Sequence, residues 1–234
     1  MIIGIAGKMN SGKDTVASML NYIIAVGKNN AKYSDWLIKR QAYDSSFQHR
    51  ITRFADVIKS NLANILNLNV DVFNNRHYKD ELWYVLSTGK FIEDPKDSKK
   101  WIKVSINNFK EIDLNKPNRI IQLRTYLQVY AETCKELFGK DVWVNSTLNA
   151  AEYINYIHKV CLIPDVRFDN EVQAIWKKNG IIINIHRQNN EFSSEHISEK
   201  ITTLYNYEIN NISTQQVLFI KVLAIYDRIK DKLI

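Results

Sequence analysis

The residues whose types and spacing could do chemistry begin with Gly7, Gly12 and Lys13 in the run GKMNSGKDT, residues 7–15. The pattern G-x-x-x-x-G-K lies between the apolar stretch MIIGIA and the helix-like TVASMLNYIIAVG, which is the context a phosphate-binding loop requires. Glycines let successive backbone N–H groups turn inward as an anion nest, and the following helix aims the positive end of its dipole at the phosphates. Lys13 would bridge the outer phosphates, so Gly7, Lys8, Ser11, Gly12, Lys13, Asp14 and Thr15 form the candidate phosphate-binding set. A Gly-rich turn capped by Ser11, with no ligand, is the competing structural explanation. Where Ser or Thr usually offers a hydroxyl to Mg²⁺ the chain has Asp14, and the hydroxyl follows one residue later at Thr15. The metal then falls to Asp14, to Thr15 or to water.

A second set lies far along the chain. In KVCLIPDVRFDNEVQAIWKKNGIIINIHR, an apolar strand over Val160 to Ile163 ends at Asp165, a helix starts near Asp169 or Asn170, and a second strand over Ile181 to Ile185 ends at Arg187. Ligands of open α/β sheets bind beyond the carboxyl ends of the strands, so Asp165, Arg167 and Arg187 are expected on the loop's side of the sheet. There Asp165 would meet Mg²⁺ or its waters, and the arginines would neutralise phosphoryl charge. Helix N-capping competes for Asp165 and Asp169. Arg124 and Gln128, at i and i+4, could present a guanidinium fork to a phosphate and an amide to a base edge, or form an ordinary solvated pair. Arg53 and Lys59 either reach a substrate phosphate or belong to a solvated basic face.

The elements that must position these residues can be sketched. Val16, Met19, Leu20, Ile23 and Ile24 make a core-facing stripe on a helix from about Thr15 to Val26, and Phe54, Ile58, Leu62, Ile65 and Leu66 a second one ending near Asn67. Residues 28–50 read as a partly helical, weakly defined connection. NRHYKDELWYVL looks helical. Residues 74–118 then turn polar and charged as an insertion, a lid or substrate-side excursion on one reading and a surface decoration on the other, within which WIKVSINNF alternates as a half-buried strand. Residues 119–139 read as a helix ending on Gly139, and DVWVNSTLNAAEYINYIH as another.

Length and composition frame the whole. With 234 residues, 45% hydrophobic and 24% charged, the chain suits one sizeable α/β domain with insertions. A net charge of +7 favours anionic partners without choosing between nucleotides and nucleic acid. Two cysteines without metal-site spacing suggest a reducing compartment. The apolar start has no basic leader and is broken by Gly4 and Gly7 well short of a membrane span, so a soluble, unexported, cytoplasmic protein is expected.

Three motifs occur in order: SGKDT at Ser11 to Thr15, RTYLQ with FGKDVWV between Arg124 and Val144, and DVRFDNE at Asp165 to Glu171, with a fainter echo in EHISE at Glu195 to Glu199. In these the chain resembles the deoxynucleoside monophosphate kinases of bacteriophages and related viruses. The resemblance implies an α/β fold of the P-loop nucleoside monophosphate kinase type, a three-layer α/β/α arrangement with a parallel sheet and helical or lid insertions. It further implies transfer of the γ-phosphoryl of ATP, with Mg²⁺, to a deoxynucleoside monophosphate, in the host cytoplasm if viral. By position, residues 11–15 would hold donor and metal; Arg124, Gln128, Ala131, Glu132 and Trp143 the acceptor; Asp165, Arg167 and Glu171 the phosphate and metal side. Lys13, Asp14, Arg124, Asp165 and Arg167 would be the catalytic groups. The Gly-Thr-Glu group that usually follows Leu127-Gln128 is replaced by Ala131, Glu132 and Thr133, and Thr125 stands where a basic residue is common. A kinase for another phosphorylated acceptor, similar to animal phosphomevalonate kinases, and a nucleotide-gated DNA-binding regulator are the alternatives. Small-molecule partners are expected, with nucleic acid and membrane disfavoured and a homodimer left open.

Overall fold

The computed structural model describes residues 1–8, 10–39, 50–96, 100–111, 118–187 and 204–233. Its contacts divide the chain into two units, Met1–Phe54 with Val144–Ile234, and Ala55–Trp143.

In the first unit, β1 (Ile2–Gly7) is apolar on both faces and buried along its whole length, which is the signature of a central parallel strand. It lies between β6 (Cys161–Val166) and β7 (Ile181–His186), with β8 (Tyr207–Asn210) beyond β7, and all these pairings are parallel. The expected strand–helix–strand unit is present, but β6 and β7 are not neighbours: β1 sits between them. Alternation along the strands splits the core into two layers. Ile3, Ile5, Leu162, Ile183 and Ile185 join α1 (Lys13–Val26) and α6 (Gln215–Ile229). Ile2, Ala6, Ile163, Val166 and Ile182 join α4 (Val142–His158) and α5 (Asp169–Lys177). The result is the three-layer α/β/α arrangement expected from the sequence.

Helix α1 forms because Val16, Met19, Leu20 and Ile23 recur at helical spacing and are all buried, each contributing roughly 1.5–3 kcal/mol by leaving water. It stops at Gly27, whose φ of 77° a side chain would resist and whose N–H closes on the Ile23 carbonyl.

The second unit holds α2 (Phe54–Leu66), α3 (Leu123–Phe138) and a sheet ordered β3-β2-β5-β4. Its strands are short: β2 (Trp83–Val85), β3 (Lys90–Ile92), β4 (Ile102–Val104) and β5 (Arg119–Ile121). Leu62, Ala63, Phe73, Tyr84, Val104, Ile121 and Leu123 form its core. The excursion at 74–118 falls inside this unit.

Several elements differ from the sequence expectation. Residues 119–121 are strand rather than helix, because Ile120 and Ile121 pair with β2 and β4 and the helix starts only at Leu123. NRHYKDELWYVL is helical only over a five-residue π-helix, His77–Glu81, and then becomes β2. Ile65 is exposed, so the apolar face of α2 is narrower than its periodicity suggests. WIKVSINNF contributes a strand of only three residues. Residues 40–49 of the 28–50 connection, and EHISE, lie outside the described residues.

The entry into β7 sets a stability test. A Cβ on Gly180 would stand 2.7 Å from the Ile2 carbonyl oxygen and 2.9 Å from that of Ile175, so backbone rather than a flexible side chain must yield. Gly180→Ala should destabilise the protein by about 1–3 kcal/mol, read as a lower denaturant midpoint at unchanged slope.

Candidate functional site

The turn from β1 into α1 is built on three residues with positive φ: Gly7 at 145°, Asn10 at 61° and Gly12 at 102°. A Cβ at Gly7 would lie 2.5 Å from the Ile185 carbonyl oxygen, so only glycine lets β1 approach β7 there. Gly12 is also the N-cap of α1 and offers no side-chain acceptor, which leaves the first-turn N–H groups and the helix dipole for an external anion. The Lys13 ammonium folds over the turn and donates to the Gly7 and Lys8 carbonyls, both at 2.7 Å. Lys8 therefore contributes through its main chain. Ser11 is buried, its N–H bonds the Lys8 carbonyl, and its hydroxyl has no hydrogen-bond partner among the described residues.

Two residues from the ends of β7 and β8 brace this turn. Arg187, at the end of β7, donates to the Asn10 carbonyl at 3.3 Å, and Asn211, at the end of β8, donates to the Ser11 carbonyl at 2.8 Å. Arg187 thus lies beside the loop, as its strand-end position suggests; nothing in the sequence spacing marks Asn211.

Opposite, the end of β6 brings Asp165 and Arg167. Burial lowers the Lys13 ammonium from the usual lysine range, and the like charge of Arg167 lowers it further, against Asp14 and Asp165. Lys13 and Arg167 therefore share one electrostatic neighbourhood at the mouth of the loop. Each nearby carboxylate is engaged. Asp14 pairs with Arg53 at 2.9 Å, which gives Arg53 an acidic partner rather than a bare reach toward phosphate. Asp165 accepts from the Phe54 N–H at 3.2 Å. Glu171 is buried and accepts from the Arg167 and Phe168 N–H groups at 2.7 and 3.0 Å.

Neither Asp165 nor Asp169 caps α5, then. Its N-cap position is Phe168, and the capping oxygen comes from Glu171 in the first turn. Glu171, placed by the resemblance on the phosphate and metal side, fixes the backbone that carries Arg167. Thr15 is half-buried in the first turn of α1. Thr15 and Asp165 offer the hard oxygen donors Mg²⁺ prefers, while Asp14 already neutralises Arg53. Among the described residues no group of three or more His, Cys, Asp or Glu side chains gathers as a metal cluster, and no helix is long and apolar enough to cross a membrane.

In the second unit, Arg124 opens α3 with its fork on Asp80: Nε to Oδ1 at 2.8 Å and Nη2 to Oδ2 at 2.9 Å. That pairing pulls the Asp80 carboxyl below its ordinary range and raises the guanidinium. Gln122 holds the Asp80 carbonyl at 2.7 Å, so the acidic partner is itself fixed. Gln128, one turn on from Arg124, is exposed. Burial lowers the Lys79 ammonium; Asp80 opposes this, and the like charges of Arg124, Lys59 and Arg76 reinforce it. The result is a basic cluster around Asp80, with Lys59 also 3.8 Å from Asp56. The remaining expected acceptor groups serve each other: the buried Trp143 indole donates to the Ala131 carbonyl at 3.0 Å, and Glu132 pairs with Lys135 at 2.8 Å. Trp143 and Ala131 thus close the turn between α3 and α4.

The family model described as deoxynucleotide monophosphate kinase matches residues 1–214. A comparison with curated proteins gave no match.

The pH dependence of stability should report Glu171. Burial raises its carboxyl from 4.5 to about 7, against the two N–H donors, so between these values the folded state binds more protons than the unfolded one. Its contribution to stability therefore falls as pH rises from 4.5 through about 7. Glu171→Gln keeps an acceptor for both N–H groups and removes the titration. Melting curves should show the variant gaining on the wild type as the pH is raised across that window; a constant difference would mean the carboxyl does not titrate there.

Proposed function

The chain belongs to the deoxynucleotide monophosphate kinase family, and from that premise we propose how its own residues move a phosphoryl group from ATP to a deoxynucleoside monophosphate, giving the diphosphate and ADP. The observation that supports the donor assignment is a strand-to-helix turn with positive φ at Gly7, Asn10 and Gly12, Lys13 folded over it, and a helix N-terminus that has no side-chain cap. Lys13 also feels the like charge of the exposed Arg167, and a triphosphate bound there would offset both. The match gives no support to the phosphomevalonate-type or DNA-binding alternatives.

On this reading, Gly7, Ser11, Gly12 and the first turn of α1 hold the donor phosphates, with N–H groups aligned before the substrate arrives. Lys13 exchanges its two loop carbonyls for phosphate oxygens. Arg167, held in place through Glu171, neutralises charge that develops on the transferred group. Phosphoryl transfer asks little covalent chemistry of a protein, so positioning and charge account for most of the rate. Mg²⁺, when bound, would neutralise phosphate charge as a Lewis acid, with Thr15 and Asp165 as its protein-side oxygens.

We assign the acceptor to α3 of the second unit. Arg124 enters with its orientation set by Asp80, itself part of the 74–118 excursion, which supports a substrate-side part for that excursion within one kinase domain. A guanidinium already fixed loses little freedom on taking a phosphate oxygen. Gln128, exposed on the same face, is the group available to a base edge. Trp143, Ala131 and Glu132 shape the helix from behind.

Lys13→Ala should lower turnover by about a thousandfold or more with the fold retained, measured as ADP release with ATP, Mg²⁺ and a panel of deoxy- and ribonucleoside monophosphates. Near-normal turnover would remove the loop from the mechanism. In the same panel, Arg124→Lys should raise the monophosphate KM by about tenfold for every base alike, because the ammonium cannot reproduce a planar two-point contact. Gln128→Ala should act unequally across the bases, and ATP affinity should stay unchanged in both. An Arg124→Lys variant weakened equally toward ATP would move Arg124 to the donor.

A further inference from the structure

Asn211 lies far from every motif in the chain, two hundred positions from the residue it contacts. Its backbone is pinned twice. The Asn211 N–H donates to the His186 carbonyl at 2.6 Å, joining the ends of β7 and β8, and the Lys221 ammonium of α6 holds the carbonyl of the preceding Asn210. From this fixed base the half-buried side chain reaches across to β1's turn, where Nδ2 donates to the Ser11 carbonyl. The same Nδ2 stands 2.7 Å from where a Cβ on Gly12 would be, so the amide fills the space that glycine leaves open.

The peptide joining Ser11 to Gly12 is trans and planar, so its C=O and N–H point in opposite directions. Fixing the carbonyl on Asn211 therefore aims the Gly12 N–H away from Asn211, and with it the first donor of the α1 N-terminus. Without that anchor the peptide could rotate, Gly12 being free to adopt other φ values. A rotated peptide would turn a carbonyl oxygen toward the phosphates.

We propose that Asn211 is a positioning residue for the donor phosphates: it orients the Ser11–Gly12 peptide so that the loop presents an N–H rather than a C=O. The proposal deepens the donor-site reading above and rests on it. Asn211 touches no phosphate, so its effect should appear in donor affinity and not in acceptor affinity. Arg187 braces the neighbouring Asn10 carbonyl in the same manner but through a longer contact.

The test is ADP binding by titration calorimetry, without acceptor, for the full chain and for Asn211→Ala, Asn211→Asp and Asn211→His. Loss of the amide in Asn211→Ala should weaken ADP by about tenfold, the value of one well-placed hydrogen bond. Asn211→Asp should weaken it more, because a carboxylate repels both the Ser11 carbonyl and the ligand. Asn211→His, whose Nδ1 reaches as far as the amide, should recover part of the loss. The monophosphate KM and the melting temperature without ligand should stay close to wild type. ADP affinities that do not follow the order Asn, His, Ala, Asp would overturn the proposal, as would unchanged affinity in variants whose only defect is a lower melting temperature. If the wild-type chain itself failed to bind ADP, the phosphate-loop reading would fall instead.

Discussion

The structure of the first unit depends on one tight turn, the seven-residue passage from the buried strand β1 to the helix α1. Its geometry is possible only with positive φ at Gly7, Asn10 and Gly12, and such a backbone persists only where its surroundings over-determine it. They do so here from three directions. The register of β1 on β7 places Gly7 against Ile185, where no side chain fits; Lys13 ties the two carbonyls at the start of the turn; and the ends of β7 and β8 supply Arg187 and Asn211 to the two carbonyls at its far end. The carbonyls of Gly7, Lys8, Asn10 and Ser11 are thus satisfied from within the protein.

Sheet order completes the arrangement. Had β6 and β7 paired directly, Arg167 and Arg187 would leave neighbouring strands on one side of the loop. Because β1 separates them, they flank it. The carboxylates follow a complementary logic. Asp14 answers to Arg53, Asp165 to the Phe54 N–H, and Glu171 to two N–H groups of the segment that carries Arg167. Each carboxylate thus has a partner of its own, while Asp14 and Asp165 still act on Lys13 against Arg167.

What the sequence revealed and what it hid divide along physical lines. Gly7, Gly12 and Lys13 were legible because a backbone-driven site writes its demands into local spacing. The α/β layering was legible too, since β1, β6 and β7 are apolar on both faces and α1 carries its stripe at helical period. Residues 119–121 were misread because a short apolar run satisfies both periods, and only the partners in β2 and β4 decide it. Glu171 was placed on the phosphate and metal side by the resemblance of DVRFDNE; its burial against the Arg167 and Phe168 N–H groups is a tertiary fact. Asn211 was invisible for the same reason, since no local pattern announces a contact between the end of β8 and the start of α1.

The Arg124–Asp80 pair is a case where energetics separate two explanations. Its guanidinium is more than half exposed, and ion pairs in such settings contribute about 0–1 kcal/mol to stability once screening and side-chain entropy are counted. Stability is therefore a weak reason for so complete a two-point contact, with Gln122 also holding the Asp80 backbone. Orientation is a better one. An arginine free on a helix surface must freeze several torsions to grip a phosphate, and that loss is charged against binding. With Nε and Nη2 held by the acid, those torsions are frozen in the folded protein, and the edge carrying Nη1 lies outside the fork. The basic cluster of Lys59, Arg76 and Lys79 around the same acid would repel itself without a counter-charge. Asp80 supplies part of that charge, and an acceptor phosphate would supply more. The acid thus offsets part of the repulsion within the cluster.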